Sequence, residues 1–188
     1  PYSGTGVNYI KNIIDSFDGS QVGDVSLVND DIFSLFPLLR SGYSEQDIMI
    51  QKIISFIVSK QQPNGSWENS IDVTAASIQA LSAVQSQTGV LNSIYLAKKY
   101  LADHQQSDGG FGSTFSTSWS LQAISALGES GSGWIKNGKN PEDALASSQQ
   151  SDGGVETIST DESTRIWSTA YAIPAILHKP WLSVLSSF

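Results

Sequence analysis

The chain has 188 residues, 39% of them hydrophobic, and its 18 acidic and 10 basic side chains leave a net charge of −8. A chain of this length forms one domain with a substantial core, and its acidic balance argues against nucleic acid or an anionic membrane as partner, since both call for a basic face. There is no cysteine and there are two histidines, which excludes disulfides, iron–sulfur clusters and thiolate zinc and makes a histidine-rich metal site a poor expectation.

From the N-terminus, "PYSGTGVNYIKNII" lacks the basic-then-apolar layout of a signal peptide. No apolar run approaches the eighteen or so residues of a membrane span, so no membrane insertion of this segment is expected. Ile10, Ile13, Ile14 and Phe17 follow the i, i+3, i+4, i+7 spacing of an amphipathic helix. Asp18-Gly19-Ser20 breaks it, and a second helix follows with Asn29 or Asp30 as its cap, giving a hairpin over about 7–41. Ser44 and Asp47 read as a capping box ahead of Ile50, Ile53, Ile54 and Ile57. After "QQPNGSW" comes "DVTAASIQALSAV", rich in alanine and serine, completing a hairpin over 46–86. The third, over 91–129, passes through "QQSDGGFG" into "STSWSLQAISAL", with Ser116 as a cap. An irregular loop, "GESGSGWIKNGKN", leads to Asn140-Pro141-Glu142-Asp143, a cap followed by a first-turn proline and early acids. The fourth hairpin, over 141–178, passes through "QQSDGGV" and a loop about seven residues longer, "VETISTDE", with Ser163 offering the next cap. The tail "PWLSVLSSF" suggests a partial helix covering the last apolar edge. No strand pattern of any strength is present.

The glycines Gly65, Gly109 and Gly153 recur at 44-residue intervals, as do the glutamine pairs before them, and a period of this size marks a repeat architecture. Long-chained amphipathic helices alternate with helices that are small-sided all round. The second kind suits an inner layer enclosed by protein, with the first kind outside and a glycine turn between. The fold class expected is all-α, four antiparallel helical hairpins in an arc or ring.

These marks resemble those of the αα-toroid superfamily, which includes squalene and oxidosqualene cyclases, protein prenyltransferase β subunits and cobalamin carriers of the intrinsic factor and transcobalamin type. The resemblance rests on "QQPNGSW", "QQSDGGFG" and "QQSDGGV", each followed by an Ala/Ser-rich helix. "WIKNG" at Trp134 to Gly138, with Asp143-Ala144-Leu145, is most similar to bacterial relatives of the cobalamin-carrier branch. It implies a partial or complete αα-toroid and, through those relatives, an extracellular or cell-surface location. Family toroids close with about six hairpins, so four imply a homodimer, contacts with missing parts of a longer chain, or a smaller ring.

Asp72, in "DVTA", resembles the catalytic acid of class II terpene cyclases, but Ser70 and Val73 stand where the supporting acids or cysteine belong. Protonating an alkene needs a carboxyl kept neutral by burial and neighbours. A carboxylate at a helix start ionises and caps free N–H groups, and the cap is the favoured reading. Asp30-Asp31 and Asp161-Glu162 join it as acids near inner-helix starts, read either as a polar mouth for a ligand or as dipole compensation. Zinc prenyltransfer is disfavoured because the family's site uses a cysteine that this chain lacks. Phe115, Trp119, Trp167 and Tyr171 sit at or near the starts of inner helices three and four and offer an apolar pocket for an isoprenoid, a cobalamin-like corrin or another flat ligand. Three functions follow from these residues and the resemblance. The leading one is a non-catalytic binding module that holds an apolar or corrin-like small molecule, or a protein partner, on its concave face. The others are a minimal class II cyclase with Asp72 as general acid and a structural repeat domain of a surface protein.

Overall fold

A computed structural model of the protein describes residues 6–156 and 159–185. Among these residues the chain is helical, with extended pairing confined to isolated bridges. The helices are α1 (Tyr9–Asp15), α2 (Asn29–Arg40), α3 (Ile48–Ser59), α4 (Ile71–Leu81), α5 (Val90–His104), α6 (Thr114–Ala126), α7 (Pro141–Ser148), α8 (Glu162–Ile176) and α9 (Trp181–Val184). A short 3-10 turn, Gly131–Gly133, precedes α7.

Composition sorts the helices into two layers. Every residue from Thr74 to Leu81 in α4 and from Thr117 to Ile124 in α6 is buried, because small side chains let neighbouring backbones close in from several directions. In α3 only the stripe Ile50, Ile53, Ile54 and Ile57 is buried. Accordingly α2, α4, α6 and α8 form an inner row in that order. Each outer helix packs closest on the inner helix just before it, α3 on α2, α5 on α4 and α7 on α6. The links within the first two of these pairs are short, 41–47 and 82–89, while the third, 127–140, contains the 3-10 turn.

The repeated punctuation welds one hairpin to the next. Gln61 donates through Nε2 to Gly65 O and, 2.8 Å away, to Ser93 O in α5. Gln105 does the same for Gly109 O and Trp134 O. Gly65 has φ +91° and Gly109 +88°, and a Cβ on either would lie 2.3 Å from a backbone oxygen of the next hairpin, Leu96 O or Asn140 O. Glycine is therefore required twice over at these two turns, by its torsion and by the close approach. At the third mark, Gln149 donates to Gly153 O, but a Cβ on Gly153 would meet nothing within 4 Å.

A second lock fixes each inner helix to its turn. Thr74 Oγ1 accepts from Trp67 N, Thr117 Oγ1 from Phe111 N and Thr169 Oγ1 from Val155 N. Each hydroxyl also donates to the carbonyl four residues back. In the first hairpin Asp31 Oδ1 accepts from Val22 N at 2.9 Å, so Asp31 stands where the others have threonine.

The caps differ from the sequence expectation. Ser70, Ser113 and Asp161 cap α4, α6 and α8, while α2 begins after Val28 with no side-chain cap. Asp72, Ser116 and Ser163 fall inside the first turns, because each helix starts a little earlier than its apolar pattern. The Asn140 cap forms as read, and Asp143 closes it into a capping box. Ser44 and Asp47 bond to each other, but that turn precedes α3, whose N-cap Asp47 makes no capping bond. In the described part of the tail, α9 packs on α2 and α4 and Trp181 meets Trp119 and Tyr171; residues 186–188 lie outside the described residues.

Candidate functional site

The threonine locks set a common register for the inner helices. Two residues beyond each lock lie Phe33, Ala76, Trp119 and Tyr171, and the aromatic members meet on the concave side. Phe33 and Trp119 have ring centroids 5.8 Å apart, and Trp119 and Tyr171 are 5.6 Å apart. Phe115 meets Tyr171 edge-on at 5.7 Å, and Trp167 stacks on Tyr171 at 5.9 Å. The four aromatics singled out from the sequence thus form one cluster.

Two members were not anticipated. Phe33 belongs to the cluster by register, and anchoring the first hairpin on Asp31 would have revealed it. Trp181 comes from the tail and stacks on Trp119 at 5.8 Å. The equivalent glutamines of α4 and α6 hold that tail: Gln79 Oε1 accepts from Trp181 N at 3.0 Å, and Gln122 Nε2 donates to Lys179 O at 2.8 Å. The centre of the arc is consequently plugged by its own tail, and the open space is displaced to one side, between α8 and α9.

That space is a cleft of about 490 Å³ walled by Trp167, Tyr171, Pro174, Leu177, Trp181 and Val184, within the range of small-molecule sites. Its polar features are few. Pro174, inside α8, has no N–H to give to the Ala170 carbonyl. The indole Nε1 of Trp181 is buried without a protein partner. A larger depression of about 680 Å³ lies by the 129–136 loop. Two of its charged groups are engaged with one another: Lys98 pairs with Glu129, which also accepts from Trp134 Nε1.

The acids are not gathered into one mouth. Asp31 is fully buried, accepts from Val22 N, and has its second oxygen unpartnered. Burial, with Asp30 and Asp18 nearby, raises its pKa to about 6. Asp30 Oδ2 accepts from Asp24 N. Asp161 is exposed and caps α8, and the donors of Thr164 hold its carboxyl below the usual range. Glu162 is exposed beside it. Asp72 is half-buried, with Oδ1 enclosed and unpartnered, and it lies outside the residues that wall the α8–α9 cleft. Among the described residues no three carboxylate or histidine side chains are placed to share a metal ion, and no helix is long and apolar enough to cross a membrane.

A curved row of hairpins with small-sided helices innermost is the architecture of the αα-toroid proteins. Over residues 8–135, more than half of its length, the sequence matches the family of the squalene-hopene cyclase C-terminal domain, and the chain belongs to that family. The match supports the cyclase and prenyltransferase superfamily without singling out the cobalamin-carrier branch. No curated protein matches the sequence.

Proposed function

We propose that the protein is a non-catalytic binding module that takes an apolar small molecule, of the isoprenoid-alcohol class, into the cleft between α8 and α9. The observation that carries this reading is the cleft itself: aromatic and aliphatic walls of suitable volume, with the few polar side chains of its lining, Tyr171, Lys179 and Ser183, to orient one hydroxyl. A corrin suits it less well, because an amide-fringed ring needs many polar partners and few polar side chains, those of Tyr171, Lys179 and Ser183 beside the indoles, stand in the lining.

The class II cyclase reading keeps one specific support, the enclosed and unpartnered Asp72 Oδ1. Against it, the acid and the apolar cleft are separate features, whereas protonating an alkene requires the acid to face the hydrocarbon.

Native mass spectrometry with geranylgeraniol, squalene and cobalamin tests these alternatives. One geranylgeraniol per chain, retained on Asp72→Asn and weakened about tenfold or more by Trp167→Ala, supports the binding reading. Conversion of squalene to a cyclic product, abolished in Asp72→Asn, would replace it with catalysis, and failure to bind any of the three would remove it.

A further inference from the structure

Helix α8 ends the inner row with a face that its predecessors bury. In the register set by Thr74, Thr117 and Thr169, Ile78 and Leu121 are fully buried, whereas the equivalent Ile173 is 56% exposed. Leu81 and Ile124 are likewise fully buried, and the equivalent Ile176 is 43% exposed. Ile166 and Leu177, each 61% exposed, extend the face. A groove of about 380 Å³ runs along it, lined by Leu145, Gln149, Gly153, Val155, Ile173 and Ile176 among others. At the two preceding marks, the residues matching Gln149 and Gly153 contact the next hairpin. On α4 and α6 the helix that opens that hairpin, α5 or α7, packs closely.

We propose that the occupant of this face is a second copy of the chain, its α8 lying antiparallel to the first across a two-fold axis near Ala170. Charge selects this occupant. A chain of net charge −8 repels its own kind except through a neutral or complementary face. The stripe Ile166, Ala170, Ile173 and Leu177 is uncharged. It is bounded by exposed Glu162 at the start of α8 and exposed Lys179 just beyond its end. Antiparallel pairing brings Glu162 of each copy to Lys179 of the other, twice by symmetry. It sets Ala170 against Ala170 of the mate at the axis and opposes the two helix dipoles favourably. The proposal rests on packing register and charge, but the face shares Ala170, Ile173 and Leu177 with the α8–α9 cleft, so pairing and ligand binding compete for it.

Sedimentation velocity from about 2 to 200 μM tests it, since interfaces of one helix pair associate in roughly that range. A concentration-dependent monomer–dimer equilibrium is expected for the native chain, with Ile173→Glu monomeric throughout and unchanged in circular dichroism. Glu162→Lys and Lys179→Glu should each weaken the dimer about fivefold or more, and the double reversal should restore it. Because the native chain has no cysteine, Ala170→Cys provides a direct geometric readout: oxidation should link two chains through Cys at that one position. A native chain that stays monomeric at the highest concentration overturns the proposal. So does a dimer indifferent to Ile173→Glu, or one that Ala170→Cys fails to cross-link.

Discussion

Asp31 does in the first hairpin what Thr74, Thr117 and Thr169 do in the others, and does it less completely. Each threonine accepts one bond and donates another. An ionised aspartate only accepts, so its second oxygen is left buried and unmatched. Its folded pKa, about 6, lies above the reference 3.8, so the folded state binds an extra proton between those values. The resulting stabilisation is complete below about pH 4 and is lost as pH rises through about 6, a swing of order 3 kcal/mol. Asp18, Asp24, Asp152 and Asp161 have lowered pKa values, and their opposite contribution fades only as pH falls below the reference value of 3.8. Asp31→Thr should therefore raise stability at pH 7 by about 1–3 kcal/mol, and the gain should shrink markedly by pH 5. Urea unfolding at the two pH values measures it; equal stability of native and variant at both would refute the assignment.

At the scale of elements, the welds between hairpins separate otherwise identical sequence marks. Gly109→Ala adds a contact with Asn140 O to an unfavourable torsion and should cost about 3 kcal/mol or more. Gly153→Ala, with similar φ +85° but open space around it, should cost about 1–2 kcal/mol. Likewise Gln105→Ala removes two buried bonds and should cost about 2 kcal/mol, against less than about 0.5 kcal/mol for exposed Gln149→Ala. Thermal or urea melts should show the larger loss in the first-named variant of each pair, and equal losses within each pair would break the weld account. The same elements show what was legible in sequence. Repeated glycines, glutamine pairs and small-sided helices carry local information, so the two layers and the aromatic register could be read directly. The caps were misplaced by two or three residues because Ser70 and Ser113 precede the apolar pattern instead of opening it. Asp31 and the tail were misread for a different reason. Nothing local distinguishes a buried carboxylate from a surface one, and the bond from Trp181 N to Gln79 crosses 102 residues.

For the whole molecule, the tail decides what kind of hollow the arc contains. With Trp181 stacked on Trp119 and tied to α4 and α6, the middle is filled and the remaining space opens beside α8. Trp181→Ala should leave the helices intact, lower stability by about 2–4 kcal/mol, and remove one wall of the cleft. Occupation of that cleft by an apolar ligand is the claim on which the functional account turns, and calorimetric titration with geranylgeraniol at several temperatures tests it most directly. The predicted result is one site per chain with a negative heat-capacity change, as apolar burial requires, and its loss in Trp181→Ala at a temperature where that variant is folded. Heats that do not saturate, or a site that survives Trp181→Ala unchanged, would contradict it.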